Sequence, residues 1–216
     1  MQNKIKKRVL NLTLVNLLIF SLSTPTAFAK GDPEAGKQKS GPCVACHQTD
    51  GNSATPAWPK IAGQHESYLI QQLKEMRKGD QGKRSNPAMY GVVSTLSDQD
   101  IEDLAAYYAA QKQTPGEAQK SLVEKGRKIY HGGIASKSVP ACSGCHQPTG
   151  GGNRLAKFPA ISGQHAEYTE AQLKAFKAGQ RSNDPNEIMR NISAKMSEEE
   201  IKAVSSYISG LHGSDK

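Results

Sequence analysis

All four cysteines of this 216-residue chain fall in two pentapeptides of one pattern, Cys43-Val-Ala-Cys46-His47 and Cys142-Ser-Gly-Cys145-His146. Two thiols one helical turn apart can add across the two vinyl groups of a single porphyrin, and C-x-x-C-H is the attachment signature for c-type haem. The following His is then held below the ring, where its imidazole can bind iron. The spacing predicts two covalently attached haem c groups, held by Cys43 and Cys46 and by Cys142 and Cys145, with His47 and His146 as proximal ligands. Two other chemistries use paired thiols. A four-thiolate zinc site leaves the His after each second Cys unexplained. A thioredoxin-like redox pair belongs at the start of a helix in a βαβ pattern, which is absent here.

The surrounding pattern is helical. Asp32-Pro33-Glu34 supplies an N-cap, a Pro at the first helical position and an acid in the first turn, and the helix it opens runs into Cys43. Leu69, Leu73 and Met76 recur at helical spacing over about residues 66–78, ending at Gly79. Ser97-Asp-Gln-Asp100 reads as a capping box before a helix burying Ile101, Leu104, Ala105 and Tyr108. Gln113-Thr-Pro-Gly-Glu117 is a turn-forming linker. Beyond it a helix over about 118–130 leads to Cys142. Another carries Tyr168, Leu173 and Phe176, and Ser197-Glu-Glu-Glu200 caps a last one with Ile201, Val204, Tyr207 and Ile208. No stretch alternates with period two. The expected fold is all-α, with a leader over 1–29, a haem domain over 30–112, a linker over 113–118 and a second haem domain over 119–216.

The second half repeats the first. Cys43 aligns with Cys142, and after one inserted residue Pro59, Gly63, Gln64, His65, Tyr68, Leu73, Gly79, Met89, Ser97 and Tyr107 each meet the same residue type 100 positions on. A tandem duplication of one haem domain explains this better than a solenoid. The repeat also sorts the candidates for the sixth iron ligand. Met76 lies opposite Phe176 on an apolar helical stripe, and Met196 lies opposite Leu96, so both read as core. Met89 and Met189 match Met with Met, in loops outside the helical stripes, and are the expected axial ligands on the second haem face. His65 and His165 also repeat and are the rivals; His131 and His212 have no partners and read as surface residues.

These residues resemble the cytochrome c4 family, dihaem cytochromes built from two class I cytochrome c domains. The resemblance rests on both C-x-x-C-H motifs, Pro59-Lys-Ile-Ala-Gly-Gln64, Gly163-Gln164-His165, Leu96 to Tyr108, Ile188-Met189-Arg190 and Ser205 to Leu211. It covers the chain after the leader. It implies a periplasmic electron carrier, loosely associated with the inner membrane, that exchanges electrons with a quinol-oxidising complex, a terminal oxidase or a small redox protein. It implies His/Met ligation of both irons and a proline carbonyl orienting each proximal imidazole, a part for Pro59 and Pro159. It also implies that the two haems face each other across the domain interface. The loops Arg84-Ser-Asn-Pro87 and Arg181-Ser-Asn-Asp-Pro185 differ, which is a source of unequal potentials. The alternative is the cytochrome subunit of a sulfur-compound-oxidising or other haem enzyme. Neither a Ser-His-Asp set nor paired carboxylates stand beside the motifs, and Gly150-Gly151-Gly152 lacks the Lys and Ser/Thr of a phosphate loop, so no catalytic residues are assigned.

The amino terminus carries Lys4, Lys6, Lys7 and Arg8, an apolar run over 10–22 and Ala27-Phe28-Ala29, the layout of a secretory signal cleaved after Ala29. The run is too short and interrupted to span a bilayer comfortably. The net charge of +8 overstates the cleaved chain, where 24 basic residues face 20 acidic ones and four haem propionates offset most of the excess. The basicity therefore gives no reason to expect a nucleic-acid partner. Aromatic content is 6%, thin for two domains of about 90 residues each. A porphyrin at each centre would supply the missing apolar mass.

Overall fold

The computed structural model describes residues 31–212, and the expected leader and its cleavage site lie outside them. Ten α-helices lie among the described residues. In the N-terminal lobe these are α1 (Pro33–Lys39), α2 (Gly41–His47), α3 (Glu66–Arg77), α4 (Pro87–Val93) and α5 (Asp98–Ala109). The C-terminal lobe has α6 (Val123–Gly132), α7 (Ser143–His146), α8 (Ala166–Lys177), α9 (Ile188–Ala194) and α10 (Glu198–Ser209). Residues 112–119, between the lobes, carry no regular secondary structure. Strand-type pairing is limited, among the described residues, to isolated bridges at Arg84/Arg181, Ile134/Val139 and Asn153/Phe158. No helix among them is long and apolar enough to cross a membrane.

Each lobe is closed by its first helix crossing its last. Gly36 permits the approach of α1 to α5, because a Cβ there would overlap the Asp103 carbonyl and the Tyr107 Cβ. Gly126 does the same for α6 on α10 against Ala203 and Tyr207. The last helices begin as expected. Ser97 caps the Asp100 amide while the Asp100 carboxylate accepts from the Ser97 amide, and Ser197 and Glu200 form the same box. Ile101, Leu104 and Ala105 in one lobe, and Ile201, Ala203 and Val204 in the other, are buried beneath these helices.

Three local expectations need correction, and a fourth, the difference between the two arginine loops, takes a definite form. The first helix does not run unbroken to Cys43: it ends at Lys39, and a second, with Pro42 in its first turn, carries the motif. The helix expected over 118–130 starts at Val123, after a single 3-10 turn over Lys120–Leu122. Met89 and Met189 are not in loops but on short helices, α4 and α9. In α4, Asn86 accepts from the Met89 amide and Pro87 fills the first position, a start signal hidden in a short polar stretch. The loops between Gly79 and Met89 and between Gly179 and Met189 also do not match residue for residue. The N-terminal lobe spends its spare residues before Arg84, in a 3-10 turn over Gly79–Gln81, and the C-terminal lobe after Arg181, in one over Pro185–Glu187.

Candidate functional site

The two C-x-x-C-H motifs open onto one cavity of about 560 Å³ running along the junction of the lobes. In the N-terminal lobe α2 presents Cys43, Cys46 and His47 to it, α4 presents Met89, and Leu69, Leu73, Leu104 and Tyr108 make its apolar wall. In the other lobe Cys142, Cys145 and His146 face it with Met189, Leu173, Phe176 and Ile208. Met76 and Met196 are buried, as expected of core residues, and also touch the cavity. No disulfide joins any of the four cysteines. Among the described residues no three His, Cys, Asp or Glu converge as a metal-binding cluster, so the two pairs do not make one tetrahedral thiolate set.

Both motif histidines are oriented by the same device. His47 Nδ1 donates to the Pro59 carbonyl at 2.9 Å, and His146 Nδ1 to the Pro159 carbonyl at 3.0 Å. These bonds leave each Nε2 as the nitrogen available to a metal. Burial pushes both imidazoles below their ordinary pKa, which the proline bonds oppose only in part, so the neutral, ligating form is favoured. Burial likewise raises the thiols of Cys43 and, to about 11, of Cys142. The rival histidines are elsewhere. His65 and His165 begin α3 and α8 and do not line the cavity. His165 Nε2 donates across the junction to the Ser53 carbonyl at 2.7 Å. His131 is exposed, 3.0 Å from the Tyr207 hydroxyl, and His212 is exposed at the end of the described chain.

The junction is lined by residues whose role sequence reasoning missed. Arg84 and Arg181 are each 7% exposed, and the strands of chain that carry them pair antiparallel, with the Ser182 amide donating to the Lys83 carbonyl at 2.7 Å. Arg84 donates to Gln72 and to the Tyr168 hydroxyl; Arg181 donates to Gln172 and, at 2.8 Å, to the Tyr68 hydroxyl. Arg181 also lies 4.4 Å over the Phe176 ring. No carboxylate pairs with either guanidinium among the described residues. Burial and the neighbouring Arg84 charge both push Arg181 down from its ordinary pKa. Two buried cations short of anions, at the rim of an apolar cavity that holds paired thiols and metal-ready imidazoles, fit a porphyrin bearing carboxylate side chains. The only sequence signal was the recurrence of Arg-Ser-Asn in loops of unequal register.

Comparison with known proteins agrees with this geometry. The cytochrome c family model matches residues 33–111 and again 123–212. Cytochrome c4 of Azotobacter vinelandii is 47% identical, over 94% of this chain and 100% of its own length. The crystal structure of reduced recombinant cytochrome c4 from Pseudomonas stutzeri superposes with a TM-score of 0.82 at 48% identity, covering 84% of this chain and 100% of that one. A thiosulfate dehydrogenase electron acceptor of Stutzerimonas stutzeri is more distant, 34% identical over 78% of each chain.

Proposed function

Since this chain belongs to the cytochrome c4 family, with two tandem cytochrome c domains and two covalently bound haem c groups, we propose that it relays single electrons between protein partners in the periplasm. In this reading the leader is cleaved near Ala29 and the lobes divide at residues 113–118. The donor is a quinol-oxidising complex or small redox protein, the acceptor a terminal oxidase, and the chain associates at most peripherally with the inner membrane.

Bound haem c supplies a one-electron iron couple. The protein's residues do the rest. Cys43 and Cys46, and Cys142 and Cys145, hold one porphyrin each through thioether bonds. His47 and His146 supply the proximal nitrogens, fixed in tautomer and direction by Pro59 and Pro159. Met89 and Met189, on helices at the cavity wall, would supply the ligand on the second face. With His and Met side chains holding it from both sides, the haem iron would keep its ligands on reduction and would offer substrate no open position. Arg84 and Arg181 would neutralise haem carboxylates placed at the junction. The observation that carries this reading is the repeated His–Pro carbonyl bond opening onto a cavity shared by all four thiols and both methionines.

The test is carbon monoxide binding to the reduced holoprotein at neutral pH, read in the visible spectrum. Neither haem should bind the gas, and Met89→Ala or Met189→Ala should open one haem each. Ready binding by the unaltered protein would overturn the assignment of that methionine. The likeness to a thiosulfate dehydrogenase electron acceptor favours a second reading of the partner, in which the donor is a sulfur-compound-oxidising enzyme. Reduction of the holoprotein by such an enzyme faster than by a quinol-oxidising complex would select it.

A further inference from the structure

At the centre of the junction two buried glutamines cross from one lobe to the other. Gln164, 7% exposed, accepts from the Lys60 amide through Oε1 at 2.9 Å and donates to the Lys60 carbonyl through Nε2 at 2.7 Å. Gln64, 9% exposed, makes the mirror pair with Ala160, at 3.0 Å and 2.8 Å. Lys60 and Ala160 directly follow Pro59 and Pro159. The amide N–H that each glutamine engages therefore belongs to the same peptide unit as the carbonyl that receives the histidine Nδ1–H. The result is a continuous chain of polarised groups: His47 Nδ1–H to the Pro59 carbonyl, through that peptide plane to the Lys60 N–H, and on to Oε1 of Gln164. The second chain runs from His146 through the Pro159–Ala160 peptide to Oε1 of Gln64.

We infer that Gln64 and Gln164 are crossed positioning residues, each tuning the proximal histidine of the lobe to which it does not belong. Hydrogen bonds in series strengthen one another. Accepting from the Lys60 N–H makes the Pro59 oxygen more negative and a better acceptor, and the second bond, to the Lys60 carbonyl, fixes the peptide plane. A stronger Nδ1–H bond gives His47 more imidazolate character and makes it a better donor to iron. A more electron-rich ligand favours the ferric state, so each glutamine lowers the reduction potential across the junction. This rests on the proposed ligation by His47 and His146.

The experiment is a haem-resolved reductive titration of the holoprotein, following haem methyl proton resonances assigned to each lobe, for Gln164→Leu and Gln64→Leu. Gln164→Met and Gln64→Met keep the side-chain length while removing both bonds, and carry the test if a leucine variant does not fold. Gln164→Leu should shift the ferric–ferrous equilibrium of the Cys43/Cys46 haem toward ferrous by a factor of about three to ten, where tenfold is about 59 mV for a one-electron couple. The Cys142/Cys145 haem should stay put. Gln64→Leu should do the reverse. In the reduced protein the His47 Nδ1–H resonance should move upfield in the Gln164 variants only, as its hydrogen bond weakens. A shift of the haem in the variant's own lobe, equal shifts of both, or no shift would each overturn the inference. Failure of the ligation itself is seen separately, as fewer than two haems by pyridine haemochrome assay or carbon monoxide binding in the unaltered protein.

Discussion

Where α1 crosses α5, Lys39 reaches Asp100 at 2.7 Å and Asp103 at 2.6 Å; where α6 crosses α10, the positions matching Lys39 and Asp103 are Ile129 and Ala203, 5% and 0% exposed, while Glu200, matching Asp100, pairs with Lys137 instead. The register is set by Gly36 and Gly126, which meet equivalent atoms on the last helices. Asp103 is itself 3% exposed, and accepts from the Asp32 amide, Lys39 and Gln99. One residue further on, Ser40 lies in the lobe that has Tyr108, while Tyr130 lies in the lobe that has Ile208. Both tyrosines are buried, at 3% and 0% exposure, so the ring is supplied by the last helix in one lobe and by the first in the other. The offset between the lobes grows from 90 at Gly36/Gly126 to 99 at Cys43/Cys142. The C-terminal lobe therefore carries nine more residues before its motif, folded into the turn that the Ile134/Val139 bridge closes. Two copies of one fold thus fill equivalent space by different chemistry. The same packing density can be met by a paired charge or by hydrocarbon, and by a ring from either helix.

The largest test of that equivalence removes the cofactor. Cys43→Ala/Cys46→Ala should unfold the N-terminal lobe, and Cys142→Ala/Cys145→Ala the other, each with loss of most of that lobe's far-UV helical signal. Native-like circular dichroism from either would show that this lobe's side-chain core suffices. Next, Tyr130→Ala should cost about 3–5 kcal/mol in the stability of the C-terminal lobe, because a fully buried ring is removed and the Tyr130 bond to the Gln147 carbonyl is lost. Denaturant unfolding followed at the lobe's own Soret signal measures it. At the crossing, Ala203→Asp should cost about 3 kcal/mol or more, since it buries a carboxylate with Ile129 as neighbour. Adding Ile129→Lys should recover part of that, a coupling a double-mutant cycle reads directly. Asp103→Ala should cost about 1–3 kcal/mol, leaving the Asp32 amide without its acceptor.

The smallest effect is in pH. Lys39 and then Ser97 hold the Asp100 carboxyl well below the usual carboxylate range. At Asp103 burial acts the other way but is outweighed by Lys39, the Asp32 amide and Gln99, and that carboxyl is lowered too. Folded values below the unfolded ones mean that this stabilisation is complete above about pH 5 and is lost as pH falls through the unfolded and then the folded values. Lys39→Ala should therefore flatten the acid limb of N-terminal lobe stability while leaving the C-terminal limb unchanged. There Glu200 is lowered against burial by Lys137 instead. Equal flattening in both lobes would show that the crossings are coupled through the junction.

The residue string by itself determined the chemistry, the duplication and the helical class, because these depend on short-range spacing. C-x-x-C-H fixes a thiol pair and an imidazole within two turns, and capping boxes and apolar stripes act within a dozen residues. It also placed Pro59 and Pro159 at the remove needed to receive the histidine bonds, through likeness to a family. Tertiary structure alone decided what spans the lobes. Gln64 and Gln164 read only as repeated polar residues until folding set each amide against the other lobe's peptide. Arg84 and Arg181 lie at different depths in loops that align only at their ends, so the 100-residue offset of the flanking repeat does not pair them. They meet because one loop spends its extra residues before the arginine and the other after it. Contacts between segments a hundred residues apart depend on how two lobes dock, and docking is set by the sum of many surfaces with no local signature.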